Sequence, residues 1–149
     1  MNLHPLAFVL DRLWPASVMP EDLRAMKRPA GFNHWLVCAR GLTAAEPDAD
    51  GPIFDALPAE VLDAARRAAA RRPGTREAAR DDAVAQIVFV QRTPFLRFPD
   101  VVRVQAIAAP DGKTALAVFC RAVYGFYDFG VNRRRAKSWA RAIAAAMAS

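Results

Sequence analysis

Val101-Val102-Arg103-Val104-Gln105-Ala106-Ile107-Ala108 leads through Ala109-Pro110-Asp111-Gly112-Lys113 into Thr114-Ala115-Leu116-Ala117-Val118-Phe119-Cys120-Arg121. Two apolar, β-branched runs joined across Asp-Gly read as a hairpin, because Gly takes positive φ without steric cost. In the first run Val102, Val104 and Ala106 fall on one side, and Arg103 and Gln105 on the other. That alternation predicts one buried face and one wetter face. Upstream, Gln86-Ile87-Val88-Phe89-Val90-Gln91 is another β-branched and aromatic run. Pro94 and Pro99 bracket the connection from Thr93 to Asp100. Three consecutive antiparallel strands are therefore expected.

Helical periodicity flanks these strands. Over residues 58–72, Val61, Leu62, Ala65, Ala68 and Ala69 recur at helical spacing. Pro58 suits the first turn, Arg71 and Arg72 suit the last, and Pro73-Gly74 stops the helix. Residues 133–147 place Ala136, Trp139, Ala140, Ile143 and Met147 on one stripe, with Arg134, Lys137 and Arg141 opposite. Asn132 stands where an N-cap belongs. Shorter helices are expected at residues 4–14 and over Pro20–Met26, which Pro29 follows. Trp35–Ala39 reads as a short strand, and residues 40–52 as a surface loop. The expected fold is α+β: an antiparallel sheet of about three to five strands with helices packed on one face, a two-layer sandwich. One domain is expected over residues 1–149, with 1–30 a helical N-terminal extension and 33–149 its body.

Composition narrows the function classes. The chain has 149 residues and is 54% hydrophobic with 9 Phe, which excludes a disordered polymer. Alanine supplies roughly a fifth of the residues, so the core must come from the larger apolar side chains. Two cysteines, Cys38 and Cys120, exclude a disulfide scaffold. No apolar run approaches about eighteen residues, so no transmembrane segment is expected. The first residues lack a basic region, and their apolar run breaks at Asp11. No secretory signal is read there, and a cytoplasmic setting with reduced thiols is expected. The net charge of +6 is unevenly placed. Residues 1–75 balance 9 basic against 9 acidic groups, whereas residues 76–149 hold 12 basic and 6 acidic ones. From residue 132 onward the chain carries Arg133, Arg134, Arg135, Lys137 and Arg141 and no acid. Such a surface suits an anionic partner.

The richest stretch is Cys120-Arg121-Ala122-Val123-Tyr124-Gly125-Phe126-Tyr127-Asp128-Phe129-Gly130-Val131-Asn132-Arg133-Arg134-Arg135. It resembles the signature of the domain-of-unknown-function family 1499, roughly Ser-Arg-Ser-Arg-x-Gly-x-Ser-Asp-x-Gly-Val-Asn-x-x-Arg. Arg121, Gly125, Asp128, Gly130, Val131, Asn132 and Arg135 match in register. Gln91-Arg92-Thr93 with Phe98-Pro99-Asp100, and Asn33 ahead of Leu36-Val37, resemble further parts of the family. The resemblance runs from about Asn33 to the C-terminus and implies a bacterial or plastid protein. It supplies no reaction. Cys120, Ala122, Val123 and Tyr127 replace hydroxyls and one arginine of the signature, so this chain lacks groups that an activity built on them would need.

Two readings of the matching residues stand side by side. In the first, Asp128 pairs with Arg121 or Arg135, and Asn132 caps the last helix, as a structural clasp. In the second, Arg121, Asp128, Asn132, Arg133 and Arg135 form an anion site at a helix N-terminus, where unpaired N–H groups carry partial positive charge. Arg121 and Arg135 would hold the anion and Asp128 would orient the guanidinia, with Arg134 pointing to solvent. The expected function is a small binding or interaction module taking an anionic small molecule or an acidic protein partner. A hydrolase or transferase at the same site is the alternative. Nucleic acid is the less expected partner, although Arg-rich helices and Phe126 and Tyr127 could serve one by stacking on bases. No cofactor or metal is expected. His34 and Cys38 are strand-borne, the acids Asp48, Asp50, Asp81 and Asp82 lack a calcium-loop frame, and no Gly-rich phosphate loop or nucleophile elbow is present. Cys120 beside Arg121 is a candidate nucleophile without an adjacent base.

Overall fold

The computed structural model describes residues 5–13, 16, 18–125 and 128–149. The expected stacking pair Phe126 and Tyr127, and the ends of the expected helix at His4 and Trp14, lie outside the described residues. In chain order the elements are α1 (Pro5–Leu13), β1 (His34–Val37), β2 (Ile53–Phe54), α2 (Pro58–Ala70), β3 (Thr75–Asp81), β4 (Gln86–Arg92), β5 (Pro99–Ala108), β6 (Thr114–Ala122) and α3 (Val131–Met147). Among the described residues, no helix is long and apolar enough to cross a membrane.

The three strands read from the sequence form β4, β5 and β6, all antiparallel. Their hairpin turns as its Asp-Gly demands: Asp111 and Gly112 have φ of 62° and 71°, and Ala109 N donates to Lys113 O at 2.9 Å. Among the described residues the sheet has six strands, more than expected, in the order β1-β6-β5-β4-β3 with β2 also on β6. β3 was hidden because Thr75-Arg76-Glu77-Ala78-Ala79-Arg80-Asp81 carries little β-propensity. Pairing with β4 makes it a strand, and its charges suit an unpaired outer edge.

α2 and α3 pack on one face of the sheet. Val61, Ala65, Trp139 and Ile143 are buried there against Phe89, Val102, Val104 and Val118. Trp139 lies 5.1 Å from Phe89, and its Nε1 donates to Gln91 Oε1 at 2.8 Å. The opposite face corrects two expectations: it is not wet, and Pro20–Met26 is not a helix. Leu23 and Met26 cover that face, buried with Leu36, Cys38, Ile107, Ala117 and Phe119. Two buried glutamines explain both corrections. Gln105 Oε1 accepts from Leu23 N at 2.8 Å, and Gln105 Nε2 donates to Asp22 Oδ1 at 2.8 Å. Gln86 exchanges a pair of bonds with the Glu21 backbone at 2.9 and 2.7 Å. Glu21 O and Leu23 N, which a helix would have paired internally, are paired here with the sheet, leaving only a turn at residues 23–25.

Candidate functional site

The chain enters α3 through two consecutive left-handed residues, Phe129 (φ 55°) and Gly130 (φ 78°). Gly130 is the N-cap position and offers no side chain for capping. Asp128 caps the helix instead. Its Oδ1 accepts from Gly130 N at 2.9 Å, and its Oδ2 from Asn132 N at 3.0 Å and Asn132 Nδ2 at 2.8 Å. A carboxylate against a helix N-terminus is favoured by both the free donors and the dipole. Asn132 is thus not the N-cap. It sits inside the first turn, fully buried, and also donates from Nδ2 to Asn33 O at 3.2 Å. Asn33 Nδ2 in turn donates to Gly125 O at 2.5 Å.

Arg135 does not pair with Asp128 either. Its Nη1 meets Asp100 Oδ2 in a close ion pair, and both side chains are almost fully buried. Nη1 also reaches Asn132 Oδ1 at 3.4 Å. Burial pushes the Asp100 carboxyl above its ordinary range, and the Arg135 charge pulls against that rise. Asp128, Asn132, Asn33, Arg135 and Asp100 therefore form one connected clasp. It ties the start of α3 to the start of β5, the end of β6 and the approach to β1. Arg121 is not part of it. Arg121 lies opposite His34 on β1 and two residues beyond Phe119, so it shares the sheet face away from α3 and is exposed.

Beside the clasp a cleft of 580 Å³ opens, lined by Arg28, Phe32, His34, Trp35, Glu46, Asp48, Asp128 and Arg133 among others. Arg133 places its guanidinium over the Trp35 ring, 5.2 Å from the centroid. Trp35 Nε1 is buried and has no hydrogen-bond partner among the described residues. On the other wall Arg28 bonds Asp48 Oδ2 at 2.8 Å and the Glu46 carbonyl. Asp48 Oδ2 also accepts from Leu36 N at 2.8 Å. His34 Nε2 donates to Pro29 O at 3.0 Å, leaving Nδ1 to accept from Arg28 at 3.4 Å. Burial, and then the Arg28 charge, lower the His34 pKa, so the ring is neutral at neutral pH.

The sequence profile of a family described as protein of unknown function (DUF1499) matches residues 32–143. The chain belongs to this family. Among curated proteins none matches it. In this DUF1499 chain the matched span opens at Phe32, on the lip of the cleft, and closes at Ile143 in the core. It contains the whole clasp; α1 and the segment that covers the far sheet face precede it.

Of the five expected site residues, the structure brings Asp128, Asn132 and Arg135 together as clasp, sends Arg133 to the cleft wall, and leaves Arg121 apart. Reading the sequence assigned no role to Asp100, Asn33, Trp35 or Arg28. Asp100 and Asn33 carried the resemblance of their segments to the family, and Asp100 is also a lone acid opening an otherwise apolar strand. The thiols contribute no nucleophile: Cys120 is fully buried with its pKa pushed up to about 12, and burial pushes Cys38 to about 11. Among the described residues, no group of three or more potential metal ligands is present.

Proposed function

We propose that this DUF1499 chain is a small binding module whose cleft holds a carboxylate- or phosphate-bearing small molecule. The anion sits on Arg133, and the body of the ligand lies against Trp35 and Phe32. The observation that carries this reading is the Arg133–Trp35 pair. Among the described residues Arg133 makes no ion pair and the buried indole N–H beside it has no acceptor. A cleft of 580 Å³ is in the range of small-molecule sites. The helix amides are not the anion holder, because Asp128 already occupies them. Asn132 and Arg135 shape the site from behind.

Binding fits better than catalysis because the acids of the cleft are already engaged. Asp48 holds Arg28 and Leu36 N, Asp128 caps α3, and Glu46 pairs with Arg40. A second reading rests on the outer face of α3. There Arg133, Arg134, Lys137 and Arg141 line a shallow depression of 680 Å³ that includes no acid. That face suits an acidic protein or a nucleic acid. Binding through it would fall steeply with salt.

Thermal melting across phosphate, pyrophosphate and di- and tricarboxylates at matched ionic strength tests the first reading. A ligand at about a hundred times its Kd adds about 2.7 kcal/mol to the wild type. Arg133→Ala should remove that gain while melting normally without ligand, since Arg133 is exposed. Equal gains in both proteins, or none in either, would overturn the cleft assignment.

A further inference from the structure

α1 is docked through Asp11. Asp11 is held by Arg97 at 2.9 Å and by Arg92 at 3.3 Å, and Arg97 pulls its carboxyl below the ordinary range. Leu6, Val9, Leu10 and Leu13 recur at the spacing of one helix face. Val9 and Leu13 on that face point away from the protein, 51% and 61% exposed, while Leu10 at its margin is half-buried. A helix of 9 residues is too short to be stable on its own in water, so an apolar stripe turned outward calls for something to cover it.

A second segment points the same way. The connection between β4 and β5 carries Phe95 at 91% exposure and Leu96 at 59%. Phe95 and Arg97 both take left-handed φ, 64° and 59°. Bulky residues rarely adopt that conformation, and such strain concentrates at functional sites. Arg97 joins this loop directly to α1. Between them lies a depression of 370 Å³ where Arg76, Arg92 and Arg97 face one acid, Asp11. Arg12 adds a further cation on α1 itself.

We propose that α1 and the loop of residues 93–98 form a docking surface for an anionic lipid membrane. α1 lies in the plane of the interface with Val9 and Leu13 among the acyl chains. Phe95 and Leu96 insert beside it, and the Arg76–Arg97 depression takes a lipid phosphate. Apolar side chains from two segments, rimmed by cations in excess of acids, match a lipid interface in both chemistry and charge. An acidic protein would match the arginines and leave the outward stripe uncovered. A second copy of this chain would bring the same cations against each other.

Sedimentation of the full chain with vesicles tests this. Phosphatidylcholine alone is compared with phosphatidylcholine containing roughly one-third phosphatidylglycerol. The protein should partition onto the anionic vesicles, weakly or not at all onto the neutral ones, and less as salt rises. Val9→Asp/Leu13→Asp should weaken partitioning roughly a hundredfold, from two large apolar side chains withdrawn. Arg76→Ala should weaken it about fivefold. Leu57→Asp, exposed at the other end of the sheet, should change nothing. All four positions are exposed, and unchanged circular dichroism separates lost binding from lost fold. No partitioning onto anionic vesicles at low salt, or partitioning that survives Val9→Asp/Leu13→Asp, overturns the proposal. So does a dimer that this variant dissociates without any vesicle binding.

Discussion

Asp128 stands where a bound anion would otherwise sit, and that single carboxylate decides how the residues around it divide. Truncating it should destabilise the fold by about 2 kcal/mol, the upper range for a lost cap. It should also expose an empty helix N-terminus. Asp128→Ala should then gain more melting temperature from sulfate than the wild type does; equal gains would show that the amides were never open to an anion. Arg135 makes the sharper case. Removing it leaves Asp100 buried without its counter-charge, at a cost of about 3–5 kcal/mol. The pH dependence follows from the direction of the Asp100 shift. Its folded pKa is already raised by burial and rises further once Arg135 is gone. A group raised in the folded state contributes fully below its unfolded pKa, and that contribution is lost as pH climbs through the folded value. In urea titrations Arg135→Met should therefore be crippled at about pH 8 and much less so at about pH 4.5. Asp100→Asn/Arg135→Met should recover much of the loss, and a deficit independent of pH would exclude Asp100 as the partner.

At the scale of elements, legibility followed local chemistry. The β5–β6 hairpin was readable because Asp111-Gly112 supplies its positive φ from the sequence itself. α2 and α3 were readable because their apolar spacing is helical, and the ends of α2 also carry Pro58 and Pro73-Gly74. β3 was not, since its strand state is imposed by β4. The segment Pro20–Met26 misled for the converse reason: its local helix signals are real, but Gln86 and Gln105 take its backbone groups across a sequence gap that no local pattern spans. The clasp was half legible. Asp128, Asn132 and Arg135 announce themselves as a cluster, whereas Asp100 and Asn33 join it only through topology. Gln105→Ala tests the element-level account. Losing its buried bonds should cost about 1–3 kcal/mol and loosen the covering segment. Cys38, under that segment, should then react with a thiol reagent well before Cys120, which lies on the helix-covered face. Simultaneous reaction of both thiols would mean that the segment does not open on its own.

Across the whole molecule, charge and apolar surface are sorted by place. The helix-covered core and the clasp set the shape. Arg133 and Trp35 form one wall of a cleft beside α3 whose acids Glu46, Asp48 and Asp128 are already engaged, and α1 with Phe95 and Leu96 forms an apolar surface at the same end of the sheet as the clasp, rimmed by Arg76, Arg92 and Arg97. The net charge of +6 is thus exposed in part where no acid answers it, chiefly along α3. Binding of a small anion and attachment to an anionic surface are separable on this plan. Arg133→Ala should leave vesicle partitioning unchanged, and Val9→Asp/Leu13→Asp should leave anion stabilisation unchanged. Loss of both functions in either variant would mean that one surface does both.

The central claim is that the family motif is a clasp and that the cleft beside it binds the anion. It is tested most directly by following the indole N–H resonances of isotopically labelled protein during titration with pyrophosphate, with Trp35 assigned through Trp35→Phe. The Trp35 resonance should show a saturable shift that disappears in Arg133→Ala and persists in Arg121→Ala. Trp139 should stay still, because its Nε1 already bonds Gln91. A Trp35 resonance that never moves, or one that moves equally without Arg133, would contradict it.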